Sequence, residues 1–336
     1  MSSGLKKTIR YLGVLLFTGL LLWVTLGDTK MEFIGEVWDS ATKPFLILSA
    51  LIALLSHYLR AERWKLLLKP IGHPLKSSHS FMSVMVGYFV NLAIPRGGEL
   101  SRCYNLFKLN RTPVNISFGT VISERIIDLV FLLVLIGSVS LIQIDTMSQF
   151  FTSLDLDDSA SHSKASSLLY ISLTAVLALT IVLLFFYKKK RWLSLKIFVK
   201  VKFFVLGIKS GVLSILKLEK RGLFILYSLL IWVCYYLMNY FVMQAFPATE
   251  GLTLSAALTI FVIGGIALAI PLPGGAGSYH LLVTAGLSFI YGVAHDHALA
   301  FSVIVHAWQT LVIIAFGAGS LILSQLYYKT QQNEVS

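Results

Sequence analysis

The chain is organised by runs of apolar residues that stop at charged or turn-forming clusters. Six runs have the length of a membrane-crossing helix or come near it: residues 9–27, 44–60, 118–143, 166–187, 222–246 and 299–326. A helix needs about 20 apolar residues to cross a hydrocarbon layer about 30 Å thick. Three further runs, 80–94, 254–270 and 278–292, are shorter and flank Pro and Gly clusters, so they are predicted to enter the bilayer without each making a full crossing. The predicted fold is all-α, a polytopic membrane helix bundle of about six spans plus two broken, re-entrant segments, forming one transmembrane domain over 1–336.

Composition strengthens this picture. Of 336 residues, 56% are hydrophobic and 13% charged, which excludes a cytosolic enzyme, a disordered chain and a secreted disulfide scaffold. Cys103 and Cys234 stand far apart in unlike surroundings and suggest neither a disulfide nor a metal pattern. The basic lead Lys6, Lys7 and Arg10 before an apolar stretch is like a signal peptide. Gly27, Asp28, Thr29 and Lys30 then follow where a cleavage site would need small residues, so a retained first helix is predicted.

Net charge is +12, a value that raises the question of a nucleic-acid partner. The positions of the charges answer it differently. With the N-terminus cytoplasmic, 24 of the 28 Lys and Arg fall on the cytoplasmic side, provided 80–94 turns back rather than crossing. The positive charge is then a matter of membrane topology, both termini are cytoplasmic, and no nucleic acid is expected. The basic segment 188–221, opening Lys188-Lys189-Lys190-Arg191 and carrying Trp192, Phe198, Phe203 and Phe204, is predicted along the inner leaflet. The acidic loop 144–165 is predicted outside.

Element order repeats with opposite sense in two halves, about 1–143 and 166–328. Span 44–60, a break and span 118–143 correspond to span 222–246, a break and span 299–326. Such inverted repeats are common in transporters, where interrupted segments in matching positions mark the substrate site. The first break reads Asn91-Leu92-Ala93-Ile94-Pro95-Arg96-Gly97-Gly98-Glu99-Leu100-Ser101-Arg102. Pro95 ends the incoming helix, Gly97 and Gly98 allow a tight turn, and Glu99 and Arg102 are spaced to meet on the next helix. An ionisable group at membrane depth is costly, which marks Arg96 as a functional candidate. The plain alternative is that Arg96 reaches the inner headgroups and Glu99 caps a helix.

The second break reads Ile270-Pro271-Leu272-Pro273-Gly274-Gly275-Ala276-Gly277-Ser278-Tyr279-His280. It predicts a half-helix whose N-terminal amides, near Gly275 and Gly277, attract an anion, with Ser278 as a hydroxyl donor and His280 as a switchable one. The plain alternative is a tight interhelical turn. Glu124 and Asp128 share a helical face, with Arg125 spaced to reach Asp128. Their simple explanation is a favourable helix dipole. His57, Arg60 and Trp64 share another face, followed by Arg63, and inner-leaflet anchoring with Trp64 at the interface is the simpler expectation there. His295-Asp296-His297 reads as an exposed polar turn.

Four short stretches, Arg60-Ala61-Glu62-Arg63-Trp64, Asn91 to Glu99, Glu124-Arg125 and Pro271 to Gly277, carry a resemblance. In order and spacing the chain resembles the transmembrane region of lysylphosphatidylglycerol synthases and their stand-alone flippase-like relatives, over essentially its whole length. The resemblance implies a multi-pass protein of the bacterial inner membrane that moves a phospholipid or lipid-linked intermediate between leaflets. The sequence stops ten residues past the last span. A soluble aminoacyl-transferase domain is therefore not expected, and lysyl transfer is not carried over.

The leading expectation is a lipid flippase. Arg96, Gly97, Gly98, Glu99, Arg102, Gly275, Gly277, Ser278 and Arg60 would bind the substrate, while Glu124, Arg125, Asp128 and His280 would serve as proton or headgroup-amine groups. No ATP-binding P-loop, catalytic residue, cofactor or metal site is read from the chain. A homodimer is compatible with such a bundle. Three other classes compete: a transferase acting on a polyprenyl-linked substrate through Asp28, Glu32, Glu36 or Asp39; a serine hydrolase on Ser278 with His280 or His306; and a non-transporting membrane scaffold.

Overall fold

The structure, a computed structural model, describes residues 31–144, 218–270 and 272–333. The first predicted span, the external loop, the span 166–187 and most of the basic segment 188–221 lie outside the described residues. Among the described residues the chain is helical without strands, in agreement with the predicted fold class. In order the helices are α1 (Met31–Ser40), α2 (Lys43–Leu68), α3 (Ser77–Ala93), α4 (Gly98–Asn110), α5 (Val114–Ile142), α6 (Arg221–Gln244), α7 (Leu254–Ala269), α8 (Ser278–Ala285) and α9 (His295–Asn333).

Among the described residues, four helical stretches are long and apolar enough to cross a membrane: Lys43–Ile71, Val114–Ile142, Arg221–Gln244 and His295–Thr330. The second predicted span was bounded at residue 60, where Arg60, Glu62, Arg63 and Lys65 interrupt the apolar run. The helix continues to Leu68, because none of those residues breaks a helix. It tightens into a 3-10 turn at Lys69–Ile71 and stops at Gly72, whose φ of 83° a glycine adopts freely.

Helices α2 and α6 form an antiparallel spine, the most extensive helix contact of the described residues. Buried positions on α2 run Leu46, Ser49, Ala53, Ser56, Arg60, Arg63, Leu67, spaced alternately by three and four. This is a helix-packing seam whose middle, Ser49, Ala53 and Ser56, is built of small residues that let two backbones approach closely. The Ser49 and Ser56 hydroxyls donate to the Leu46 and Ala53 carbonyls, so neither is left unpaired. Leu46 packs with Val242 at one end of the spine, and Leu67 with Phe224 at the other.

Two helical hairpins flank this spine. Helices α3 and α4, of 17 and 13 residues, fold back on each other: the Asn105 amide donates to the Ser83 hydroxyl, and Gly98 lies against Gly87. A Cβ on Gly98 would stand 2.6 Å from the Asn91 Cγ and overlap the Gly87 carbonyl oxygen, so this approach requires glycine. Helices α7 and α8 fold back likewise, with the Ser278 hydroxyl donating to the Ala267 carbonyl and Tyr279 beside Gly264. All four are shorter than the roughly 20 residues typical of a crossing helix. Helix α7 starts cleanly because the Thr253 hydroxyl accepts from the Ala256 amide.

Further contacts close the bundle: α2 with α3, α6 with α7, α4 with α5, α8 with α9, α3 with α9 and α5 with α7. One apolar core gathers Leu46, Val242, Ile260, Tyr279, Val283 and Phe301 around the second hairpin. A second gathers Ala61, Trp64, Leu68, Val84, Leu106 and Val121 around the first. On α5, Leu129, Leu133, Val134 and Leu141 are exposed, the apolar surface expected of a helix whose solvent is lipid.

Candidate functional site

Five charged side chains meet between α2, α4 and α5. Arg60 and Arg63 project from the last third of α2, one turn apart, and both reach Asp128 on α5. The Arg60 Nη1 and Arg63 Nη2 each donate to an Asp128 carboxylate oxygen at 2.9 Å. The Arg63 Nε lies 3.5 Å from Glu124, one turn earlier on α5, and the Arg102 Nη2 comes in from α4 to 2.8 Å of the same carboxylate. Glu124 and Asp128 share a face at four-residue spacing, as their sequence positions predict, and that face turns into the bundle. Helix α6 adds neutral partners: the Tyr235 hydroxyl accepts from Arg60 at 3.0 Å and the Ser228 hydroxyl from Arg63 at 3.2 Å.

Three arginines against two carboxylates leave the cluster with one excess positive charge. Arg63 is fully buried, and Arg60, Arg102 and Glu124 nearly so. The Nε groups of all three arginines and both Glu124 oxygens are buried without a hydrogen-bond partner, so Arg63 and Arg102 meet Glu124 as ion pairs alone. Buried charges are tolerated when paired, and an unused guanidinium donor carries a desolvation cost that an incoming anion relieves. The cluster sits about 26 Å along α2 from Lys43, and about 15–21 Å into α5 from Val114, from the helical rise.

Trp64 was expected at the membrane interface and is instead wholly buried. Its indole N–H donates to the Thr120 hydroxyl at 2.8 Å, and the Arg102 guanidinium lies 3.7 Å from its ring centroid. Inner-leaflet anchoring of Arg60 and Trp64 is thereby overturned: the helix runs on past both, and their face is the packed one. Two expected local pairs are replaced as well. Arg102 meets Glu124 instead of Glu99, and Arg125 pairs with Glu99 at 3.1 Å at the half-exposed rim instead of with Asp128. Asp128 is already engaged by two arginines from another helix. Sequence reasoning left Arg63, Tyr235 and Ser228 out of the site. The seam spacing on α2 was the available signal for Arg63, whereas nothing local marks Tyr235 or Ser228.

The two helix breaks also meet. Arg96 occupies the left-handed region at φ 56°, unusual for a residue with a Cβ, and its Nη2 donates 3.1 Å to the Ala269 carbonyl at the end of α7. Gly98, which begins α4, donates its amide to the Asn91 side chain at 2.7 Å. In the second break Gly274 and Gly275 both take positive φ, 59° and 79°. Three of the donors expected to be free there are in use: the Ser278 hydroxyl donates to the Ala267 and Gly275 carbonyls, the Gly277 amide to the His280 Nδ1, and the Gly275 amide to the Leu272 carbonyl. His306 of α9 reaches the Gly274 carbonyl at 2.9 Å. Thus Arg60, Arg102, Glu124 and Asp128 come together, Glu99 and Arg125 form their rim, and Arg96 joins the second break. Gly97 lies in the first turn, while Gly275, Gly277, Ser278 and His280 form the second. His295, Asp296 and His297 are exposed at the start of α9.

Comparison with known proteins adds the lineage. The family model described as the lysylphosphatidylglycerol synthase TM region matches residues 11–317. A UPF0104 membrane protein from Methanocaldococcus jannaschii is 30% identical over 139 residues, which are 39% of this chain and 40% of that protein. The chain thus matches less than half the length of this relative. No solved structure matches it.

Proposed function

The chain belongs to the lysylphosphatidylglycerol synthase transmembrane-region family, and from that premise we propose that it moves an anionic phospholipid or lipid-linked intermediate between the leaflets of its membrane. The observation that carries this reading is the buried cluster of Arg60, Arg63 and Arg102 with Glu124 and Asp128, one positive charge in excess and with unpartnered guanidinium donors. A membrane bundle that only had to hold together would avoid that cost, since well-packed apolar residues stabilise as well or better. A headgroup phosphate supplies the missing negative charge and strong acceptors for guanidinium N–H groups.

Arg96 gives the phosphate a first contact. It is exposed and bound to a neutral carbonyl, and a charged phosphate oxygen is the stronger acceptor. Exchange of Ala269 for phosphate at Arg96 separates the two breaks, after which the acyl chains remain in lipid while the headgroup follows the arginines. Glu99 and Arg125 at the rim are placed to meet polar or amine groups of the head. We read α2–α5 and α6–α9 as inverted halves. Exchanging them maps α2·α3 onto α6·α7, α3·α4 onto α7·α8, α4·α5 onto α8·α9 and α3·α9 onto α7·α5, and each of these pairs is packed. Rocking of such halves about the α2–α6 spine exposes one site to each leaflet in turn.

Purified protein in vesicles carrying acyl-labelled phospholipids tests the proposal through the rate at which label becomes inaccessible to an external quencher. Wild type is expected to exceed empty vesicles at least tenfold. Arg96→Ala is expected to lose most of that rate with its melting temperature nearly unchanged. Equal rates for wild type and empty vesicles over a panel of anionic and zwitterionic lipids overturn the function, and an undiminished Arg96→Ala overturns the role of that residue.

A further inference from the structure

The second break contains a pair of histidines for which lipid binding alone gives no use. His280 on α8 and His306 on α9 face each other edge to face, ring centroids 4.8 Å apart, and Tyr279 stacks on His306 at 5.5 Å. Each ring holds one backbone group of the break, and those partners fix the tautomers. The Gly277 amide can only donate, so the His280 Nδ1 it contacts is an acceptor without a proton. The Gly274 carbonyl can only accept, so the His306 Nε2 beside it carries the proton, and the Nδ1 of His306 is left as the basic nitrogen.

The two rings answer a proton in opposite ways. On the His306 Nδ1, a proton turns the Nε2–H···O bond to Gly274 into a charge-assisted one and tightens the turn. On the His280 Nδ1, it destroys the Gly277 contact that opens α8. Two imidazolium rings at this separation repel, and His306 is half-buried where His280 is buried. The pair therefore takes one proton, and takes it on His306. We infer that His306, with His280 as its partner, is a proton-binding site that couples the opening of the second break to proton movement. This inference rests on the transport reading above and names its coupling ion.

The surroundings leave His306 free for this task. Among the described residues, α8 presents Tyr279 and His280 to it, and the break presents the Gly274 carbonyl. Helix α7 carries no ionisable residue. On α3, His79 lies against Tyr327 and Tyr88 against His57. On α4, Lys108 lies over Tyr104 and Tyr328. On α1, Glu32, Glu36 and Asp39 are exposed, while Trp38 meets Trp308. No carboxylate among the described residues forms an ion pair with either histidine, so no fixed counter-charge locks either ring in its protonated form. In one cycle the His306 Nδ1 lone pair accepts a proton from water on one side with the break closed, and returns it to water on the other side once the break has opened.

Two measurements on the full chain test the site. The first is histidine nitrogen NMR in nanodiscs between pH 5 and 8, with the His306 signal assigned by its loss in His306→Gln, whose side-chain amide still donates to Gly274. One protonation for the pair, at His306, is expected. A His306 that stays neutral throughout, or two independent protonations, overturns the site. The second is lipid movement in vesicles with an imposed pH difference. Reversing the gradient is expected to change the wild-type rate at least fivefold, with a flat response in His306→Gln and a shifted one in His280→Asn. Lipid movement that ignores the gradient overturns the coupling and leaves the transport reading standing. A titrating His306 in a protein that moves no lipid overturns the transport reading and with it the coupling, while the proton site itself stands.

Discussion

Asp128 accepts hydrogen bonds from both Arg60 and Arg63 at 2.9 Å, whereas Glu124 meets its two arginines as ion pairs without a hydrogen bond. Asp128→Asn keeps its size, removes its charge and raises the buried positive excess from one to two. Each pair has a gross attraction of about 6 kcal/mol at an effective dielectric of about 20, most of it cancelled by desolvation. Removing one partner of a buried pair costs about 3–5 kcal/mol, and with two arginines orphaned the upper end applies. At about 2 °C per kcal/mol for a chain of this size, the melting temperature in detergent should fall by about 10 °C. Glu99→Gln is the control. Its partner Arg125 is 45% exposed, so the change should cost under about 1 kcal/mol. Adding Arg63→Met to Asp128→Asn returns the excess to one and should recover about half the loss. A loss from Asp128→Asn as small as that from Glu99→Gln, or no recovery in the double variant, refutes the electrostatic account.

Gly98→Ala should destabilise by about 3 kcal/mol, because its Cβ meets the Gly87 backbone oxygen and no rotamer change relieves that. Gly137→Ala, with nothing within 4 Å, should stabilise by up to about 1 kcal/mol; thermal unfolding of the two separates close packing from helix propensity. Trp64→Phe removes the hydrogen bond to Thr120 and weakens the stacking under Arg102. A loss of about 1–2 kcal/mol is expected, read by the same melt. Arg96→Gly and Arg96→Ala both lose the bond to Ala269, but glycine accepts the left-handed backbone. The glycine variant should melt higher by about 0.5 kcal/mol or more, and equal melting would show that the backbone there relaxes.

Much of the fold was legible because apolar runs and Pro–Gly punctuation follow from local chemistry. Both breaks fall where Pro95-Arg96-Gly97-Gly98 and Pro273-Gly274-Gly275 place them, and α6 and α7 end within two residues of expectation. The end of α2 was misread for a physical reason. Charge marks where a helix leaves lipid only when the helix faces lipid, and the charged turn of α2 faces α4, α5 and α6. For the site, the carboxylate face of α5 was legible from four-residue spacing, but the pairing was not. Local spacing offers Arg125 to Asp128 and Arg102 to Glu99, whereas a buried carboxylate is satisfied by whichever cation the neighbouring helix brings into the dry interior. The partners of Asp128 lie 65 and 68 positions away, beyond the reach of any local rule.

On the transport reading, the ties between the α3–α4 hairpin and the rest of the bundle form one set. Arg102 holds Glu124, Glu99 holds Arg125, and Arg96 holds the Ala269 carbonyl. Beside these stands the neutral bond from Asn105 to Ser324 on α9. Each of the three charged ties around the first break has an arginine as its donor, while Lys65 of α2 donates to the Ser77 hydroxyl at the far end of α3; a phosphate competes for each arginine with a full negative charge and several oxygens. A hairpin fastened by lysines or by apolar contact alone would lack that property, because a lysine cannot grip two oxygens in a plane and an apolar contact does not respond to charge. The same chemistry that closes the first hairpin against its neighbours is thus the chemistry that recognises an anionic head. Binding energy spent on the phosphate is then available to loosen the hairpin, which is the differential affinity a ligand must have to shift one conformation toward another.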